Sequence, residues 1–474
     1  MTALPLCTPS AVDVDAQGVL ALLDALEADP AIEMHSLMVL RHGTVLAAGW
    51  WAPYSAQSAH LLYSLSKSFT STALGLAVAE GLVTLDDRVV DHFADLAVGV
   101  TDERTSRMLV RHLASMATGH LDDTWQRVVA ADVEQPVRGF LRLPPEREPG
   151  SVFAYNQSAT YTLATLLQRV TGETLTDYLR PRLLDPLGIG PVGWQQHPAG
   201  QDLGFTGLHA TTDAVARLGQ LYLQRGRWGG RQLLSQEWVA EATRVHVANP
   251  DQPNPDWRQG YGFQFWNARH GYRGDGAFGQ FCLVLGDQDL VVASTAATEA
   301  MQSVLDAVWE HLLPAVDRGS SDAADRELAE RLDRLAVPEP PAASPPAEPW
   351  PGGVLAPSGG TCAAQPSLRT VEVEQTPDGW RLALVEAGDA SAEDRLELDA
   401  IGRPWPMTIT TVPTAVAGGW TPDGGLRFDV RFLETPHTLV VTCHPSAGTF
   451  DARWTVPPLA ATRLRRLRSP GPSR

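Results

Sequence analysis

The sequence predicts an α+β protein: an antiparallel sheet built from both ends of a large first domain, flanked by helices and a helical region, with a small all-β domain after it. Three observations predict this. Alternating apolar runs occur near residues 36–51 and return near 260–295. Helical periodicity fills the interval between them. A Pro/Ala/Gly-rich stretch, 337–360, then separates this region from short alternating runs with hairpin turns. Strands at both ends of a helical segment close most simply as one sheet covered by helices.

Each element follows in order. "SLMVLRHGTVLAAGWW" (36–51) reads as two strands around a His-Gly turn. "SLSKSFTSTALGLAVAEGL" (64–82) begins with hydroxyls and continues with Ala, Leu and Val, a helix with a Ser near its N-cap and a stop at Gly81. "VARLGQLYLQRG" (215–226) and "SQEWVAEATRV" (235–245) are amphipathic helices. "GYGFQFW" (260–266) and "GQFCLVLGDQDLVVAST" (279–295) read as strands, and "EAMQSVLDAVWEHLL" (299–313) as a closing helix. "DAADRELAERLDRL" (322–335) is a charged helix.

The expected organisation is a first domain over 1–336, a semi-rigid linker over 337–360, an all-β domain over 361–460 and a frayed basic tail over 461–474. "RTVEVE", "WRLALVE", "LRFDVRF" and "HTLVVTC" supply the strands of the second domain. Its tryptophans, Trp380, Trp405, Trp420 and Trp454, are expected in its core.

Composition narrows the function. The formal net charge is −18, which argues against a nucleic-acid binder. The four cysteines, Cys7, Cys282, Cys362 and Cys443, are widely spaced and show no metal-ligand pattern. The start has no basic segment followed by an apolar one, and no run is long enough to span a membrane. The expectation is a cytoplasmic protein with reduced thiols, no metal, no cofactor and no membrane partner; the sequence sets no oligomeric state. His42 and His120 are expected in turns and packing, and Asp86 and Asp87 at a loop and helix start.

One residue stands apart. Lys67 is the only lysine among 37 Lys and Arg residues. A guanidinium stays protonated at any relevant pH, whereas an ammonium loses its proton readily when buried. A function that needs a basic group able to deprotonate cannot use arginine. Ser64 lies three residues before Lys67, so on a helix the two share a face. The amine can take the hydroxyl proton while the helix N-terminus favours a neutral amine and a developing oxyanion. Ser66 and Ser68, adjacent to the lysine, do not share that spacing.

Ser64-Leu65-Ser66-Lys67 fits the S-x-x-K element, and residues 30–315 resemble the class-C-like branch of the serine β-lactamase and penicillin-binding-protein superfamily. "RHLASMATGH", "EPGSVFAYNQSATYTLATLLQRVTG", "LRPRLLDPLGI" and "GDGAFGQFCLVL" carry the resemblance further, in the expected order. That branch includes esterases, D-amino-acid peptidases and amidases. The resemblance implies a β-lactamase/transpeptidase-like fold, with Ser64 as acylated nucleophile, Lys67 as its base and Tyr155 sharing base duty and relaying a proton. A nearby ammonium is expected to lower the Tyr155 pKa.

Two departures stand out. The third position of the Y-x-N element is Gln157, with Asn156 in the middle. The Lys-Thr-Gly element is absent, and "RHGYRGDGAFGQF" (269–281) stands in its region. Tyr272, Arg273 and Gly274 lie nearest it, with "RHG" (269–271) competing. Gln157, Arg273, Gly274, Asp275 and Gly276 are the candidate substrate and oxyanion residues: the strand needs only its backbone N–H, and Arg273 is open either to a substrate carboxylate or to a salt bridge. The expected function is hydrolysis of a small-molecule ester or amide through a Ser64 acyl-enzyme. A D-amino-acid peptidase and a non-catalytic ligand-binding member of the fold are the alternatives.

Overall fold

The structure, a computed structural model, describes residues 3–340, 343–346, 350–388, 393–401, 407–409 and 412–471. The larger, N-terminal region is organised around a six-stranded sheet. The strands are β1 (Glu33–Arg41), β2 (Thr44–Trp50), β3 (Trp266–Asn267), β4 (Tyr272–Gly276), β5 (Gln280–Leu285) and β6 (Leu290–Ala297), in the order β2-β1-β6-β5-β4-β3. Every neighbouring pair is antiparallel. The sheet is therefore built from both ends of the first domain, as the pattern predicts. His42 and Gly43 both take left-handed backbone, with φ of 52° and 75°, which the tight turn between β1 and β2 requires.

The strands are buried on both faces, and the period of two sorts their side chains. Leu37 and Val39 join a cluster with helices α1 (Ala16–Ala28), α5 (Met301–Ala307) and α6 (Asp322–Leu332). Met38 and Leu40 face the larger cluster of α2 (Ser66–Ala79), α3 (Gln157–Thr171) and α4 (Thr212–Leu223). Helix α2 is almost wholly buried in the latter cluster.

"GYGFQFW" departs from expectation. Only Trp266–Asn267 is a strand, because Gln264 has φ of 63° and its amide donates to the Leu113 and Ala114 carbonyls. The segment is a turn pinned to the helical region.

The C-terminal region, from Gly352 on, is an all-β, barrel-like domain with a nine-stranded sheet. Its strands pair antiparallel except where Gly352–Pro357 meets Thr449–Trp454 in parallel. Gly352–Pro357 falls inside the Pro-rich segment 337–360, so that segment is part strand and not linker throughout. Trp380, Trp420 and Trp454 pack in or against the core of this domain, while Trp405 lies outside the described residues.

The basic tail also departs from expectation. Leu464 and Leu467 are buried in the β-domain core, the Leu464 N–H donates to Glu386 and the Ser469 N–H to Glu434. Two leucines spaced three apart give the tail an apolar anchor that its arginines obscure. Among the described residues, no helix is long and apolar enough to cross a membrane.

Candidate active site

Ser64 sits in a short 3-10 turn, Tyr63–Leu65, that leads directly into α2. The neighbouring hydroxyls are used up by the fold. Ser66 is fully buried and accepts from the Leu208 N–H, and buried Ser68 donates to the Gln264 carbonyl. Ser64 alone of the three stays partly exposed, in a cleft of about 470 Å³.

The Lys67 side chain is buried, with 1% exposure. Its Nζ lies 2.9 Å from Ser64 Oγ, 2.7 Å from Gln157 Oε1 and 2.8 Å from the Phe205 carbonyl oxygen. Burial pulls its pKa down to about 7, against a weaker upward pull from the Asp123 and Asp275 carboxylates. Gln157 thus holds the lysine through its side-chain oxygen. Asn156 serves the fold instead: buried, it accepts from the Ser158 and Thr124 N–H groups and caps α3.

Tyr155 is stacked on Trp266 with ring centroids 5.3 Å apart, and Lys67 Nζ lies 4.8 Å from the centre of its ring. Its pKa is raised, contrary to the expectation. Burial outweighs the downward pull of hydrogen bonding from Ser64 and Trp266, and Asp275 and Asp123 add to the rise. The phenol keeps its proton while the amine readily gives its own up.

Strand β4 runs against the Ser64 turn because its glycines permit it. A Cβ on Gly274 would lie 2.7 Å from Ser68 Oγ, and one on Gly276 would be driven into the Leu62 carbonyl oxygen. The two clashes differ, since Ser68 can rotate and a backbone carbonyl cannot. Gly276→Ala is therefore expected to cut kcat/KM on an aryl ester by about 10²-fold or more by displacing the Ser64 turn. Gly274→Ala is expected to do less. Steady-state kinetics beside thermal midpoints checks both.

Arg273 is not available to a substrate. It is fully buried, with Nε 2.9 Å from Asp275 and Nη1 2.8 Å from the Asp256 carbonyl oxygen, and its guanidinium lies 4.3 Å from the Trp257 ring centre. Of its two open readings, the salt bridge is the one realised. Asp275 is committed to the same pair; burial raises its pKa to about 6 against the lowering effect of Arg273 and Lys67. His120 and His42 are structural: His120 bonds Thr118 and the Leu143 carbonyl, and His42 pairs with Asp289 across the turn.

Several residues of the cleft escaped the sequence reading. Asp123 accepts from the Gln157 N–H and bears on Lys67. Trp125 and Phe205 line one wall. The β-domain contributes Thr435, His437, Leu459 and Arg466 to the lining. No motif marks these positions. A groove of about 610 Å³ beside Arg217 and Trp228 lies elsewhere and contains no paired nucleophile and base.

Comparison with known proteins finds relatives in sequence and in fold. The chain is 26% identical over 269 residues to the 6-aminohexanoate-dimer hydrolase of Paenarthrobacter ureafaciens, covering 52% of this chain and 68% of that one. It is 27% identical over 166 residues to the lovastatin esterase of Penicillium rubens, covering 30% of this chain and 41% of the other, so it spans less than half of that relative. In fold it is similar to EstCE1, a hydrolase with promiscuous acyltransferase activity, with a TM-score of 0.52, 18% identity, and coverage of 62% of this chain and 99% of that one. The Beta-lactamase family model matches residues 21–312, well over half the chain. The protein therefore belongs to the Beta-lactamase family and is a serine hydrolase of that type.

Proposed function

We propose that the protein hydrolyses a small-molecule ester or amide through an acyl-enzyme on Ser64. The carrying observation is the set of three acceptors around Lys67 Nζ. An ammonium donates to all three. Once deprotonated, the amine keeps two N–H donors for Gln157 and the Phe205 carbonyl, and its lone pair points at Ser64. With a pKa near 7, a large fraction is in that state at neutral pH.

Ser64 Oγ attacks the carbonyl carbon as its proton passes to Lys67. The C–O bond to Ser64 forms and the carbonyl electrons move onto oxygen. That oxyanion is held by the Ser64 N–H and an N–H at the end of β4, beside Gly276. Collapse breaks the bond to the leaving group, which takes a proton from the Tyr155 phenol; Lys67 returns its proton to Tyr155. Water then attacks the acyl-enzyme by the reverse route. The raised pKa of Tyr155 suits it to giving a proton, and the lowered pKa of Lys67 to accepting one. A cytosolic setting is part of this reading, supported by four free thiols, three of them buried.

A hydrolysis screen of short-chain aryl esters, D-amino-acid amides and a chromogenic cephalosporin tests the proposal. Turnover of esters is expected to lead; no turnover of any of them, with a stoichiometric Ser64 adduct, would point to a binding protein. One observation favours a second reading, an amidase or peptidase for substrates with a free carboxylate. Arg466 lines the cleft and makes no ion pair or side-chain hydrogen bond among the described residues. If it anchors such a group, Arg466→Glu lowers kcat/KM for carboxylate-bearing substrates by about tenfold or more and leaves neutral esters within about twofold. Equal effects on both classes would remove this reading.

A further inference from the structure

Two bulky residues beside the Ser64 site hold backbone angles that side chains rarely adopt. Tyr63, immediately before Ser64, has φ of 47°. Phe278, two residues past the end of β4, has φ of 69°. For aromatic residues such angles are outliers and persist only where the surroundings over-determine them. Each sits beside one half of the oxyanion hole: Tyr63 is joined to the Ser64 N–H, and Phe278 follows the strand end at Gly276 and Ala277.

Both are held by one side chain of the β-domain. His437 is fully buried. Its Nε2 lies 2.6 Å from the Tyr63 hydroxyl and its Nδ1 2.9 Å from the Val456 carbonyl oxygen. A carbonyl only accepts, so Nδ1 carries the hydrogen and Nε2 accepts from Tyr63. Burial lowers the His437 pKa to about 4, which keeps this neutral form at neutral pH. The Tyr63, Phe278 and His437 rings form a triangle with centroids 5.4, 5.7 and 5.9 Å apart. The loop that carries His437, between strands Leu426–Phe432 and Thr438–His444, also accepts the Leu61 N–H on the Glu434 carbonyl, three residues before Ser64. Leu61, Tyr63, Phe278 and Val456 share a small apolar cluster of their own.

We propose that His437 is a positioning residue for the oxyanion hole. From the β-domain, it fixes Tyr63 and Phe278 so that the N–H of Ser64 and the N–H at the end of β4 point at one site. The second domain is thereby part of the catalytic apparatus, with a role beyond lining the cleft. This rests on the Ser64 reading above.

The test measures kcat, KM and the affinity of an aryl boronic acid, which bonds the nucleophilic serine as a tetrahedral anion and fills the hole. The variants are His437→Ala, His437→Gln and Tyr63→Phe, each with its thermal midpoint. His437→Ala is expected to lower kcat and boronate affinity in parallel, by about tenfold to a hundredfold, with KM within about twofold. His437→Gln, whose amide oxygen accepts from Tyr63, should recover part of both. Tyr63→Phe keeps the ring contacts and should give a smaller parallel loss. If His437→Ala does not fold, Tyr63→Phe decides: a parallel loss supports the proposal, and wild-type values overturn it. Folded His437→Ala with wild-type kcat overturns it. So does a loss that tracks the thermal midpoint alone, with no recovery in the glutamine variant. Failure of the Ser64 reading would look different, as full activity in Ser64→Ala.

Discussion

Ser64→Ala is expected to remove hydrolysis of an activated aryl ester, with kcat/KM falling by at least about 10⁴-fold, because the acyl-enzyme has no other oxygen on which to form. Ser66→Ala and Ser68→Ala should keep a measurable rate. Their hydroxyls are spent on the Leu208 N–H and the Gln264 carbonyl, so their loss disturbs packing and leaves the chemistry in place. Labelling with a serine-reactive fluorophosphonate, followed by intact-mass measurement and peptide mapping, should place one adduct on Ser64. An adduct on any other serine, or unchanged turnover in Ser64→Ala, would sink the assignment.

The second large effect concerns Lys67. Lys67→Arg should be nearly as damaging as Lys67→Ala, each losing about 10²–10⁴-fold in kcat/KM, the range of general-base assistance. Arginine keeps the charge but cannot give up its proton at neutral pH. It would also bring a larger cation into a site closed by Gln157, Phe205 and Tyr155. The pH dependence carries the sign of the same argument. The folded-state pKa of Lys67 lies below its ordinary value, so the protonated, inactive form dominates below about pH 7 and the free base above it. Wild-type kcat/KM should therefore rise with pH through about 7 and then level off. A Lys67→Arg enzyme within a few-fold of wild type, or a wild-type rate flat from pH 5 to 8, would refute the proton-transfer role.

Much of the site was legible because its chemistry is local. Ser64 and Lys67 are three residues apart at a helix entrance, so one turn of backbone brings them together whatever surrounds them. The rarity of lysine in the chain then singles out Lys67 as the proposed base. The β1–β2 hairpin was legible for the same reason, since His42-Gly43 accepts the left-handed angles its turn needs. The resemblance added Tyr155, which no local pattern would have selected over the other tyrosines.

What misled was the environment. Arg273 was open to a substrate carboxylate or a salt bridge; the choice depended on Asp256 and Trp257, which the folded chain brings over it. The expectation that Tyr155 acidifies beside an ammonium fails because burial raises its pKa and outweighs the hydrogen bonds from Ser64 and Trp266 that lower it. The tail reads as frayed because five arginines obscure two leucines.

The sequence by itself determined the α+β order of elements and the Ser64–Lys67 pair. These depend on backbone geometry over a few residues, or on a period of two or 3.6 that survives any context. Only the tertiary structure decided which groups are buried, and with that the pKa of Lys67, the proton on Tyr155 and the fate of Arg273. It alone also brought His437 to Tyr63 across 374 positions of chain. A charge's energy depends on how much water it loses, and a contact between distant residues depends on how whole domains pack. Neither quantity is written in the neighbours of a single residue.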